Sequence, residues 1–165
     1  VPILRELMSK DVASRVADPG RHICLKGGKW SPLLSGMNRW LATQTEDANH
    51  GHVASAILDQ SAEPQDVRAM AARYLINAKR DDGMPVDPVT RFHLTNGAEV
   101  YDIHAQADMT DNGLNQSSGA MVNYLYDLSQ TQRRHEDFVL SSIVAAAKPA
   151  QVLSTSVLPN KPTPH

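Results

Sequence analysis

Cysteine is nearly absent from this chain, and its single thiol, Cys24, cannot close an internal disulfide. It sits in the apolar run His22-Ile23-Cys24-Leu25 and reads as a buried, inert side chain. Long hydrophobic runs are lacking too. None approaches the ~18 residues needed to span a bilayer, so no transmembrane segment is expected. No block of lysine or arginine accompanies the formal net charge of −2, which argues against nucleic acid as a partner. No phosphate-binding loop, GxSxG elbow or GxGxxG fingerprint occurs, and no repeat of fixed period is present. The seven histidines are scattered without metal-ligand spacing. Their one close pair, His50-Gly51-His52, reads as a solvated loop, and Asp81-Asp82 as a charged loop ending a helix.

What is present suits one domain. A chain of 165 residues, 41% hydrophobic and 21% charged, has the composition of a soluble protein and the length to bury a core. Residue 1 is valine and no signal or transit peptide is recognisable, so either a leader has been removed or the chain is a piece of something longer. Residues 1–150 are expected to form the domain. Residues 151–165, with three prolines in the last seven positions, are expected to be a loose or partner-docked tail.

The apolar periodicity predicts the elements. Ile3, Leu4, Leu7, Met8, Val12 and Val16 repeat at helical spacing until Asp18-Pro19-Gly20. His22 to Leu25 reads as a short strand, ended at Gly27-Gly28, and Met37 to Ala42 opens a helix after a turn at Ser35-Gly36. Val67, Met70, Ala71, Tyr74, Leu75 and Ala78 form one stripe, begun at Glu63-Pro64 and ended at Asp82-Gly83. Residues 91–103 read as a β-hairpin about Asn96-Gly97, since a type I′ turn needs positive φ at both positions. That register pairs Phe92 with Tyr101 and Arg91 with Asp102. Leu114, Met121, Tyr124, Leu125 and Leu128 predict a helix from about Asn115 to Ser118 onward, its other face carrying Gly119, Val122, Asn123 and Tyr126. His135 to Ala147 predicts a last helix, with Phe138, Val139 and Ile143 inward and a stop before Pro149. Helices mixed with few strands indicate an α+β (α/β layered) domain.

His93 is the chemical candidate among these residues. On the expected hairpin it lies on one face with Arg91 and Asp102, where a histidine can hold one tautomer and act as hydrogen-bond donor or general acid.

Two longer blocks add to this reading. Pro85-Val86-Asp87-Pro88-Val89-Thr90-Arg91-Phe92-His93-Leu94-Thr95-Asn96-Gly97-Ala98 resembles a hallmark of malonyl-CoA decarboxylases. So does Gly113-Leu114-Asn115-Gln116-Ser117-Ser118-Gly119-Ala120-Met121-Val122-Asn123-Tyr124-Leu125-Tyr126-Asp127-Leu128. A looser likeness runs through Ser31-Pro32-Leu33-Leu34-Ser35-Gly36-Met37-Asn38-Arg39-Trp40-Leu41, similar to the family's serine-proline segment. The resemblance implies a partial fold of the GCN5-related N-acetyltransferase type, with a mixed sheet and a C-terminal β-hairpin packed by helices. It implies conversion of malonyl-CoA to acetyl-CoA and CO₂ with no metal or organic cofactor, the CoA thioester being the substrate. It also implies His93 and Ser31 as the catalytic pair and Tyr126, with Asn96, Ser117 and Gly119, on the substrate side.

Loss of CO₂ leaves an enolate on the thioester, and preorganised donors at its oxygen are worth roughly 3 to 4 kcal/mol each. Ser31 and His93 would orient the carboxylate out of the thioester plane, with His93 or water protonating C2. The likeness has gaps. No segment matches the family's CoA pyrophosphate-binding loop or its helical domain, and His104-Ala105 replaces a usual asparagine-tryptophan pair. The second proline of the serine segment is replaced, and Lys29-Trp30 before Ser31 is unfamiliar. Three readings follow: a decarboxylase fragment, active alone or joined to its missing half; an accessory subunit derived from such an enzyme, completed by other protein chains; and an acyltransferase on the same fold. A mitochondrial matrix or mitochondrial complex is the expected setting, a bacterial cytoplasm the alternative.

Overall fold

The computed structural model describes Leu34 and residues 36–159. The expected N-terminal helix, the His22 to Leu25 strand with Cys24, Gly27-Gly28, Ser31, Ser35 and the last six residues lie outside the described residues. Within them the order is α1 (Met37–Gln44), α2 (Gly51–Leu58), α3 (Pro64–Ala72), α4 (Pro88–Thr95), β1 (Glu99–His104), α5 (Asp111–Ser117), β2 (Met121–Leu125), α6 (Thr131–Ser141) and α7 (Lys148–Thr155). The class is α+β: helices around a two-stranded antiparallel sheet. Among the described residues no helix is long and apolar enough to cross a membrane.

Helix α1 follows the expected turn at Gly36 and buries Met37 and Leu41, one turn apart. Helix α3 begins as expected, with Glu63 extended at its N-cap and Pro64 in its first turn, and buries Val67, Met70 and Ala71. It continues as one π-helical turn, Arg73–Asn77, which buries Tyr74 and Leu75 and ends before extended Ala78, short of Asp82-Gly83. His50-Gly51-His52 is not a solvated loop. His50 stands at the N-cap position of α2 without a capping side-chain hydrogen bond, its Nε2 lying 3.0 Å from Gln44 Oε1, and α2 turns Val53, Ala54 and Ile57 into the core.

The expected hairpin about Asn96-Gly97 is replaced by a helix. Asp87 accepts hydrogen bonds from the Val89 and Thr90 amides at 2.7 and 3.2 Å, and Pro88 follows in the first turn, so α4 starts on an Asp-Pro cap. Asn96-Gly97 ends it. The Gly97 amide donates to Leu94 and the Ala98 amide to His93, both at 3.0 Å, in the two-bond pattern that closes a helix on a left-handed residue. Gly97 has φ +85°, and a Cβ there would lie 2.2 Å from the Thr131 carbonyl oxygen. Both expected cross-strand pairs are therefore absent. Arg91 donates instead to the carbonyls of Pro85 and Val86, while Asp102 faces Arg68 at 3.5 Å.

The sheet forms between β1 and β2, in the register Glu99↔Leu125 to His104↔Met121, with an irregularity at Tyr101 between Val100 and Asp102. β2 occupies residues expected to be helical. The helix preceding it, α5, is short: the Thr110 hydroxyl accepts from the Gly113 amide, and Ser118 and Gly119 at positive φ turn the chain into the strand. Gly119 thus marks a turn instead of a mid-helix contact. The last expected helix divides in two. α6 runs from Thr131 to Ser141, with Phe138 buried but Val139 and Ile143 half exposed. Pro149 lies in the first turn of α7 and starts a helix instead of stopping one. α7 packs on α3 and β1, and a bridge between Val100 and Ala146 leads into it. Leu153 and Leu158, from the expected tail, are buried in the core.

Candidate active site

Two elements meet at His93. In a strand, residues two apart share a face, so β2 and its continuation turn Tyr124 and Tyr126 the same way, toward α4. The imidazole of His93, 3% exposed, stacks on the Tyr124 ring with centroids 4.2 Å apart and planes 23° apart. Its Nδ1 lies 2.5 Å from the Tyr126 hydroxyl. Tyr126 closes the ring's edge and Tyr124 covers a face.

Burial sets the protonation of this group. With little solvent to stabilise an imidazolium, the His93 pKa falls to about 4, so the ring is neutral at pH 7. Burial pushes the Tyr126 phenol upward, so it keeps its proton. A neutral imidazole has one bare nitrogen. Among the described residues the Tyr126 hydroxyl has no other acceptor, an arrangement that favours donation from Tyr126 to Nδ1 and a ring proton on Nε2.

Behind this pair lies a buried polar cluster. Thr90 Oγ1 and the Tyr124 hydroxyl are 2.7 Å apart. Asp87 is fully buried; one carboxylate oxygen caps α4, and the other has no partner among the described residues. Burial raises its pKa to about 6, against the lowering effect of the Thr90 and Val89 amides and of Arg91. Burial, and then the charge of Asp87, raise the Tyr124 and Tyr74 phenols as well.

Of the residues singled out in the sequence, His93 and Tyr126 come together, and Ser31 lies outside the described residues. Asn96, 4% exposed, donates its side-chain amide to the Phe92 carbonyl at the end of α4. The buried Ser117 hydroxyl bonds to the Gly113 and Ala120 carbonyls, and Gly119 occupies the turn into β2. Sequence reasoning missed the roles of Asp87, Thr90 and Tyr124. Their signals were the Asp-Pro helix start and the alternate placement of Tyr124 and Tyr126. Among the described residues no three His, Cys, Asp or Glu are grouped to hold a metal ion.

Residues 31–162 match the family model for the malonyl-CoA decarboxylase C-terminal domain. The chain belongs to the malonyl-CoA decarboxylase family. It is similar to mitochondrial malonyl-CoA decarboxylase of Rattus norvegicus, 38% identical over 85 residues that cover 52% of this chain and 17% of that protein. The enzyme of Anser anser anser is 36% identical over 85 residues, covering 52% and 16%. Among solved structures, malonyl-CoA decarboxylase from Rhodopseudomonas palustris matches with a TM-score of 0.66 and 32% identity, over 73% of this chain and 31% of that one. The Agrobacterium vitis enzyme matches with a TM-score of 0.67 and 28% identity, over 75% and 34%. The chain therefore spans about a sixth of the curated relatives and a third of the solved chains it matches.

Proposed function

We propose that this chain is the His93-bearing part of a malonyl-CoA decarboxylase, releasing CO₂ from malonyl-CoA to leave acetyl-CoA. The observation that carries the reading is the buried, neutral His93 held at Nδ1 by Tyr126, within the two sequence blocks that mark the family. In the reaction the bond between C2 and the carboxylate breaks, and its electron pair passes into the thioester enolate. A proton is then added at C2. A neutral imidazole suits the first event as a donor: Nε2–H points a fixed dipole at the oxygen where charge grows, in a site with little water to screen it. Because the His93 pKa lies near 4, an imidazolium is not the acid at neutral pH. The proton for C2 comes from water, or from Nε2–H with immediate replacement.

Ser31 enters this reading through the family resemblance, as the partner that orients the carboxylate. Tyr126 serves by fixing the tautomer. The side chains of Asn96 and Ser117 are engaged in their own turns, so with Gly119 they are assigned to the substrate site through the shape of those turns. The mammalian relatives are named mitochondrial and the solved relatives are bacterial, and either setting is compatible with this chemistry.

A second reading, an accessory subunit of a larger assembly, is favoured by one observation. Leu140 is 81% exposed on α6 between half-exposed Val139 and Ile143, an apolar surface suited to another chain. One assay separates the two. Purified chain is incubated with malonyl-CoA and acetyl-CoA is followed, with His93→Gln alongside. Turnover lost in the variant supports the decarboxylase. Absence of turnover from both proteins sinks catalysis by this chain alone and favours the accessory reading, and equal turnover from both sinks His93 as the acting group.

A further inference from the structure

His93 is held at two places, and the second has its own support. Thr90 lies three residues before His93 on α4, so the two share the helix face turned toward β2. Tyr124 meets both: its hydroxyl reaches Thr90 Oγ1 at 2.7 Å, and its ring lies under the imidazole at 4.2 Å. Thr90 is fully buried and Tyr124 is 2% exposed, so no solvent competes for that hydrogen bond. Thr90 is itself anchored, because its amide donates to Asp87.

The two contacts on His93 do different things. One hydrogen bond from Tyr126 to Nδ1 fixes the ring's edge but leaves it free to swing about the bond's axis. The face of Tyr124 removes that freedom, provided the phenol itself is stationary. A tyrosine held only by its backbone retains its own side-chain torsions; pinned at the hydroxyl too, it becomes a fixed plate.

We propose that Thr90 and Tyr124 are positioning residues, a threonine-tyrosine lock that sets the plane of the His93 ring and so the direction in which Nε2 faces. This rests on the reading of His93 as the group that acts on substrate. It extends that reading to two residues that act only through His93.

The test uses the full chain and four variants. Thr90→Val keeps the shape of the side chain and removes the hydroxyl; Tyr124→Phe keeps the plate and removes its pin. Thr90→Ser restores the hydroxyl. The double variant Thr90→Val/Tyr124→Phe leaves no orphaned hydroxyl, so it remains a folded test even where a single variant is too unstable. Two quantities are read: steady-state kcat and KM for malonyl-CoA, and the His93 ring resonances in a histidine-labelled sample.

Each hydroxyl deletion is expected to lower kcat about 10-fold or more, as small misplacements of a reacting group do, with KM held within about twofold. Thr90→Ser is expected to recover the wild-type rate. The double variant is expected to lose no more than either single one, since both delete the same contact. The His93 ring resonance is expected to shift or broaden in Thr90→Val and Tyr124→Phe and to return in Thr90→Ser. Losses that add in the double variant, or an unmoved His93 resonance, would overturn the lock. If the wild-type chain shows no turnover, catalysis by this chain alone fails by itself, and the resonances still decide whether Thr90 and Tyr124 hold His93.

Discussion

Two buried groups on α4 titrate in opposite senses, and their opposition has a measurable signature. His93 has a folded pKa of about 4 against an ordinary 6.5, and Asp87 about 6 against 3.8. As pH falls below about 6.5 the unfolded chain takes up a proton at His93 that the folded chain refuses, so stability drops. Over the window below about 6, the folded chain takes up a proton at Asp87 that the unfolded chain releases, so stability rises. From about pH 7 to about pH 5, linkage makes the His93 loss about 2 kcal/mol and the Asp87 gain about 1 kcal/mol. The gain offsets only part of the loss, and single substitutions uncover each. In His93→Gln the loss disappears, so its stability relative to wild type should improve by about 2 kcal/mol on acidification over that range. In Asp87→Asn, which keeps a capping oxygen, the gain disappears, and stability relative to wild type should fall by about 1 kcal/mol. Urea denaturation at several pH values, read as the difference between variant and wild type, removes the contribution of every other titrating group. Differences that stay constant with pH would refute the burial argument for both groups. Slopes of the reverse sign would show that His93 is protonated, or Asp87 ionised, in the fold.

Other substitutions test the frame around the site. Gly97→Ala forces a side chain into positive φ and against the Thr131 carbonyl, and should destabilise the chain by at least about 2 kcal/mol in urea denaturation. Phe138→Ala empties the buried contact of α6, which packs on α4, and should cost about 3 to 5 kcal/mol by the same assay. Tyr126→Phe removes the hydroxyl that fixes the His93 tautomer. In the malonyl-CoA assay its kcat should fall by about 10²-fold, with folding preserved by circular dichroism.

The helices whose apolar stripes coincide with a clear start signal were legible, α1 after Gly36 and α3 at Glu63-Pro64 among them. The site itself was misread through a single dipeptide. Asn96-Gly97 suits a type I′ turn and a left-handed helix end equally, because both need positive φ. What decides between them lies nine residues upstream, in Asp87-Pro88, which opens a helix too short to show a full apolar stripe. Met121, Tyr124, Leu125 and Leu128 fit a helical spacing, yet Val122, Tyr124 and Tyr126 also alternate. Only the pairing of β2 with β1 chooses the strand, and that contact is not local. The resemblance to the family's sequence blocks was independent of these errors and named His93 and Tyr126. The hydrogen bond between them, and the part of Tyr124, needed the strand.

The decarboxylase reading turns on the proton of His93 sitting on Nε2 while Nδ1 stays bare against Tyr126. Nitrogen-15 NMR of ring-labelled histidine, followed from about pH 7 to about pH 5, reports this directly. A His93 ring that remains neutral across that range, with Nε2 protonated and Nδ1 bare, is the expected result. A ring that titrates near its ordinary 6.5, or that carries its proton on Nδ1, would contradict it.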